Sequence, residues 1–109
     1  MAWLLRDGEV LASIEVAGDR RARARGLLGR PGFAGALLLE GTRSVHSFGM
    51  QFPIDVALCD RDLVVRRTVR LVPGRLTRPS LRGGHVIEAE AGCFAAWELC
   101  AGDRLEVQR

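Results

Sequence analysis

Apolar and polar positions alternate in short runs along this chain, broken about every ten residues by Gly, Pro or Asp, and that spacing predicts mostly strands. Residues 3–17 read as a hairpin. Trp3-Leu4-Leu5-Arg6 leads into Asp7-Gly8, a two-residue turn signal because both positions tolerate positive φ, and the chain returns through Glu9-Val10-Leu11-Ala12. That turn sets Arg6 opposite Glu9 and Leu5 opposite Val10. It also puts Val10, Ala12, Ile14 and Val16 on one face. Gly18 breaks the strand. Asp19 then suits the N-cap of a helix over 20–28, with Ala24, Leu27 and Leu28 as its apolar stripe. Gly26 weakens this helix, and Gly29 can end it.

Most of the remainder reads as strands. Residues 36–40 form a short apolar run. Over 45–52, His46, Phe48, Met50 and Phe52 share one face of an alternating strand, and Val45, Ser47, Gly49 and Gln51 share the other. Pro53 interrupts, and 54–59 follows. Leu63, Val65, Val69 and Leu71 mark the buried face of a long strand, with Arg67 as the misfit. Residues 73–84 carry two Pro, three Gly and three Arg and read as an exposed loop. A strand over 86–90, a short helix over 91–99 and a last strand over 104–107 complete the chain. The expected class is mainly β, a β-rich α+β fold. Its form is an antiparallel jelly-roll-like sandwich or partly closed barrel of about seven to eight short strands with two short helices. At 109 residues the chain is expected to be a single domain over 1–109.

Composition narrows the class further. Hydrophobic residues are 48% and charged residues 27%, so a packed globule is expected rather than disorder. No window approaches the ~18 apolar residues of a membrane span. The opening run Met1–Leu5 is too short for a secretory signal, so a cytoplasmic location is expected. All 16 basic side chains are Arg, and the net charge is +3. This permits an anionic partner without demanding one, because 13 acidic residues are interspersed. Cys59, Cys93 and Cys100 contain no CxxC pair and sit among apolar neighbours, so buried free thiols are expected.

An ordered set of short motifs carries a family resemblance. Arg25-Gly26-Leu27-Leu28-Gly29-Arg30 comes first, and the run from His46 to Val56 follows. Asp60, Pro73, Val86-Ile87-Glu88 ahead of Gly92, and Gly102-Asp103-Arg104 complete the series. In that order the chain resembles the domain-of-unknown-function 192 family over residues 10–108. The resemblance implies one β-rich, jelly-roll-like domain and no established activity.

Candidate chemistry concentrates between His46 and Asp55. An imidazole near a carboxylate is the raw material of a general base or a metal site. The apolar company of His46 equally fits a hydrogen-bonded core histidine, and Asp55 fits a cap on turn N–H groups. His85 and Glu88 are three apart on one strand and so face opposite sides, which keeps them from sharing a metal. A metal site built from His46, His85 and Asp55 or Glu88 would need the fold to assemble it; no HExxH spacing is present, and no metal or cofactor is expected. Arg20, Arg21, Arg23, Arg25 and Arg30 crowd the first helix; Arg66, Arg70, Arg75, Arg78 and Arg82 crowd the long strand and loop. If Arg25 is inside, it needs a partner such as Asp55 or Glu88.

The leading expectation is a small soluble, non-enzymatic binding or interaction module. Its pocket lies near His46 and Asp55, with Arg25, His46, Phe48, Met50, Asp55 and Glu88 as ligand-binding residues. The partner is an unidentified small molecule, anionic or carbohydrate-like, or a protein. The first rival is a hydrolase-type enzyme, metal-assisted or not, with His46, Asp55 and Glu88 as candidate catalytic residues. The second rival is an Arg-rich anion or nucleic-acid binder. It is disfavoured because aromatics for base stacking are only 6% of the chain.

Overall fold

The computed structural model describes residues 1–80 and 83–109. Among the described residues, seven strands and two short helices follow in the order β1 (Ala2–Arg6), β2 (Glu9–Ala17), α1 (Arg20–Arg25), β3 (Ala36–Leu39), β4 (Ile54–Asp60), β5 (Val65–Leu71), β6 (Gly84–Glu90), α2 (Cys93–Ala96) and β7 (Leu105–Gln108). All seven strands form one sheet in the order β5-β4-β6-β3-β2-β1-β7. The sheet curls so far that its two edges meet at one corner. There Val64 bridges Arg104, Val65 N–H donates to the Asp103 carbonyl at 2.8 Å, and Leu105 N–H donates to the Leu63 carbonyl at 2.9 Å. The mainly-β class therefore takes the form of the partly closed barrel.

The first hairpin forms as its turn chemistry dictates. Asp7 and Gly8 both adopt positive φ, 53° and 80°. Arg6 pairs with Glu9 and Leu5 with Val10. A bulge follows, so Leu4 faces Ala12, and the expected alternation slips by one residue. Val10 is consequently exposed while Ile14 is buried.

One strand pair departs from the antiparallel expectation. β2 and β3 run parallel, with Ile14 opposite Ala36, because α1 and the loop after it return the chain to the same end of the sheet. α1 is also shorter than predicted. Asp19 caps it, accepting from Ala22 N–H at 2.8 Å, but Gly26 stops it at φ +50°. Leu27 reaches the core from the turn beyond the helix, and Ala24 stays exposed.

The residues predicted as a strand over 45–52 form a loop. It pairs with the 72–77 segment through the isolated His46–Leu76 bridge, turns at Gly49, φ +79°, and packs Met50 and Phe52 onto the sheet. The reason is local. The buried Ser47 side chain donates to the Val72 carbonyl at 2.7 Å and accepts from Arg75 N–H at 2.8 Å, so the segment bonds to residues 72–77 rather than to a sheet edge. Thr77 repeats the arrangement with Val45. Residues 73–80 are thus clasped against 43–47, while Leu81 and Arg82 of the expected loop lie outside the described residues.

Two cores sit on the two faces of the sheet. The inner core runs through Leu4, Ile14, Leu38, Ala57, Ile87 and Leu105 and is plugged by Phe94 and Leu99 from around α2. The outer core, with Leu27, Leu37, Leu39, Met50, Val56 and Val86, lies beneath α1 and the two loops that follow β2 and β3. No helix among the described residues is long and apolar enough to cross a membrane.

Candidate ligand site

The strand register decides which candidate residues can meet. Residues directly opposite across an antiparallel pair point to one face. On β4 and β6, Val56 stands opposite Glu88 and Asp55 opposite Ala89. Glu88 therefore points to the outer face and Asp55 to the inner one.

Asp55 is buried and fully used. Its carboxylate accepts from Gly92 N–H at 2.9 Å and Phe94 N–H at 3.1 Å, capping the start of α2, and from Arg70 Nε at 3.2 Å. It does hold turn N–H groups, as a carboxylate after Pro53 can. The turn is the one before α2, far along the chain.

Glu88 is 3% exposed, and no described residue donates a hydrogen bond or ion pair to its carboxyl. Burial pushes its carboxyl up to about 7 from an ordinary value near 4.5. No wholly sealed side-chain oxygen among the described residues lacks a partner, so the Glu88 oxygens keep contact with the open space beside them. That space is a pocket of about 360 Å³. Arg23, Arg25 and Leu28 form one wall, Val45, His46, Phe48 and Met50 the other, and Leu39 and Glu88 the floor. Two close approaches set its shape. A Cβ on Gly26 would sit 3.2 Å from Glu88 Oε1, and one on Gly49 would sit 3.0 Å from Leu28 Cδ1. The backbone after α1 thus passes directly over the carboxyl, and the two loops abut at the rim.

His46 is exposed at the rim rather than enclosed in the core. Its ring stacks on the half-exposed Phe48 ring at 5.2 Å and 21°. Its Nδ1 accepts from Phe48 N–H at 3.1 Å, which places the proton of the neutral ring on Nε2. Met50 and Phe52 are buried beneath. Thus Arg25, His46, Phe48, Met50 and Glu88 share one pocket, and Asp55 belongs to the opposite face. The expected ion pair of Arg25 with Asp55 or Glu88 does not form; Asp55 takes Arg70, and Arg25 stays at the exposed end of α1. The His–carboxylate dyad that an enzyme would use is likewise not assembled among the described residues, where no carboxylate hydrogen-bonds His46. His85 lies elsewhere, its Nδ1 accepting from Gly41 N–H at 3.1 Å. Among the described residues, no three His, Cys, Asp or Glu side chains are grouped closely enough to hold a metal ion.

The thiols are only partly as expected. Cys59 is buried, and burial pushes its thiol up to about 12; Cys93 is half-buried and also raised by burial; Cys100 is exposed. Ser47 and Thr77 are the residues that sequence reasoning missed. Both sit in irregular segments where no periodicity marks a buried hydroxyl, yet they anchor the loop that forms the pocket's second wall.

A family model, DUF192 (Uncharacterized ACR), matches residues 2–107. The chain belongs to the DUF192 family. Solved structures similar to this DUF192 chain include one from Sinorhizobium meliloti 1021, provisionally described as a transcription regulator. It has a TM-score of 0.81 and 25% identity and covers 97% of this chain and 91% of that one. Another, a protein of unknown function from Novosphingobium aromaticivorans DSM 12444, has a TM-score of 0.79 and 17% identity over 96% of this chain and 82% of that one. Among curated proteins, none matches the chain significantly.

Proposed function

We propose that this DUF192 chain acts as one domain over residues 1–109 and is a small-molecule binding module. Its pocket is the one between α1 and the 45–52 loop. The observation that carries this reading is Glu88, a buried carboxyl with no partner among the described residues, facing an open space of ligand size. A buried, unpaired carboxyl weakens the fold, so its position is explained by what it can hold. The pocket stands on the outer face beside His46, whereas the reading that included Asp55 is set aside because that carboxylate already caps α2. A cytoplasmic location belongs to the same proposal and is supported by three unpaired cysteines.

A role on DNA, which the S. meliloti description invites, has less support here. Several arginines are turned onto their own chain: Arg6 to Asp103, Arg30 to Glu15, Arg66 to Asp60 and Arg67 to the Arg78 carbonyl.

Thermal unfolding against chelator, divalent metals, nucleotides, sugars and small acids tests the binding reading. A ligand at about 100 times its Kd adds roughly 2.7 kcal/mol, which for a domain of this size moves the midpoint by about 5 °C or more. The expected result is one class that shifts the wild type and fails to shift His46→Ala. A panel that shifts nothing contradicts the reading.

A further inference from the structure

The pocket is chemically polarised. At its mouth the Arg25 side chain makes no hydrogen bond or ion pair with any described residue, whereas neighbouring Arg23 gives one guanidinium N–H to the Gly18 carbonyl. A guanidinium is a planar set of donors with no acceptor, shaped for a carboxylate or phosphate. At the floor, Glu88 offers acceptor oxygens. The chain carries the Arg25 backbone past the floor, because Gly26, which crosses over Glu88 Oε1, directly follows it. The rest of the lining is mostly apolar, from Leu27, Leu28, Val45 and Met50, with Thr42, Ser44 and His46 as its polar members.

We propose that the pocket takes a small molecule with an anionic group and a hydrogen-bond donor on an apolar body, the anion held by Arg25 and the donor by Glu88. This rests on the binding reading above and adds the ligand's chemistry to it. Above pH 7, where Glu88 is charged, a ligand with only an anion leaves the Glu88 oxygens unmatched and brings a second negative charge towards them. One with only a donor leaves Arg25 unused. The donor is an ammonium, as in an amino acid, or a hydroxyl, as in a hydroxy acid, and matched probes separate the two.

The test is calorimetric titration with four probes that share one branched body. L-leucine carries carboxylate and ammonium, and 2-hydroxy-4-methylpentanoate carries carboxylate and hydroxyl. 4-Methylpentanoate carries the anion alone, and 3-methylbutylamine the ammonium alone. One of the two-function probes is expected to bind at least about tenfold tighter than both single-function probes, an advantage of roughly 1.4 kcal/mol. Arg25→Ala, at the exposed end of α1, is expected to weaken that probe about tenfold and leave 3-methylbutylamine unchanged. Glu88→Leu is expected to reduce it to the affinity of 4-methylpentanoate. Equal binding of the two-function probes and 4-methylpentanoate, or no effect of Arg25→Ala, overturns the ligand class. If no probe binds at millimolar concentration while a neutral sugar still shifts the unfolding midpoint of wild type and not of His46→Ala, the ligand class falls and the binding reading stands. If neither the probes nor the wider panel bind, both fall.

Discussion

Glu88 and Asp55 are two buried carboxyls on neighbouring central strands, one residue out of step, and their fates are opposite. Asp55 receives two backbone N–H groups and a guanidinium, so its removal leaves buried donors unmatched. Asp55→Ala is expected to lower stability by about 2–4 kcal/mol in urea unfolding, with binding in the outer pocket unchanged. Glu88 receives nothing from the described residues, and its folded value, about 7, lies above the ordinary one near 4.5. The folded state therefore holds the proton more tightly than the unfolded state. The contribution of this group to stability is complete below pH 4.5 and is lost as pH rises through 7. Urea unfolding of the wild type is expected to show stability falling by about 2.5 kcal/mol from pH 5 to pH 8. A flat profile in that window, or a rising one, speaks against an unpaired Glu88. Both carboxyls could be picked out in the sequence as candidates. Their separation could not, because it depends on which β4 residue stands opposite which β6 residue.

At the scale of elements, the strands with clear alternation and a defined turn were the legible ones. Asp7-Gly8 and its pairing follow from turn geometry alone. The 45–52 segment departs from its pattern for a physical reason: its alternation is real, but Met50 and Phe52 are buried by a loop folding over the outer face, and two hydroxyls supply the backbone bonds a sheet would have given. Ser47→Ala removes the hydroxyl's bonds to Val72 and Arg75 at a fully buried site and is expected to cost about 1–3 kcal/mol. It is also expected to weaken binding in the pocket whose wall it anchors, as measured by the ligand-induced midpoint shift. Gly84 marks a tighter constraint, since a Cβ there would run into the Cys59 carbonyl and lie 2.8 Å from Asp60 backbone atoms. Gly84→Ala is expected to lower stability by roughly 3 kcal/mol or more, because β4 and β6 must separate to admit it.

For the whole molecule, the sheet closes at one corner and carries its pocket on the outside. The closure is held by Arg6, which donates to Asp103 at 3.0 Å, to the Trp97 carbonyl at 2.7 Å and to the Glu98 carbonyl at 3.0 Å. Arg6→Ala is expected to speed hydrogen exchange at the Val65 and Leu105 amides while the β3 and β6 amides stay protected. The number of strands and the mainly-β class were readable from spacing. The parallel β2–β3 pair and the meeting of β5 with β7 were not, because both arise from long-range pairing that no local pattern encodes. The central claim is that Glu88 is kept for a ligand rather than for the fold, and it is tested most directly by the unfolding midpoints of wild type and Glu88→Gln at pH 8 without ligand. An uncharged, near-isosteric side chain relieves the burial of an unpaired charge. The account therefore predicts that Glu88→Gln melts about 5 °C or more above the wild type. A variant that melts below the wild type would show that Glu88 is part of the scaffold.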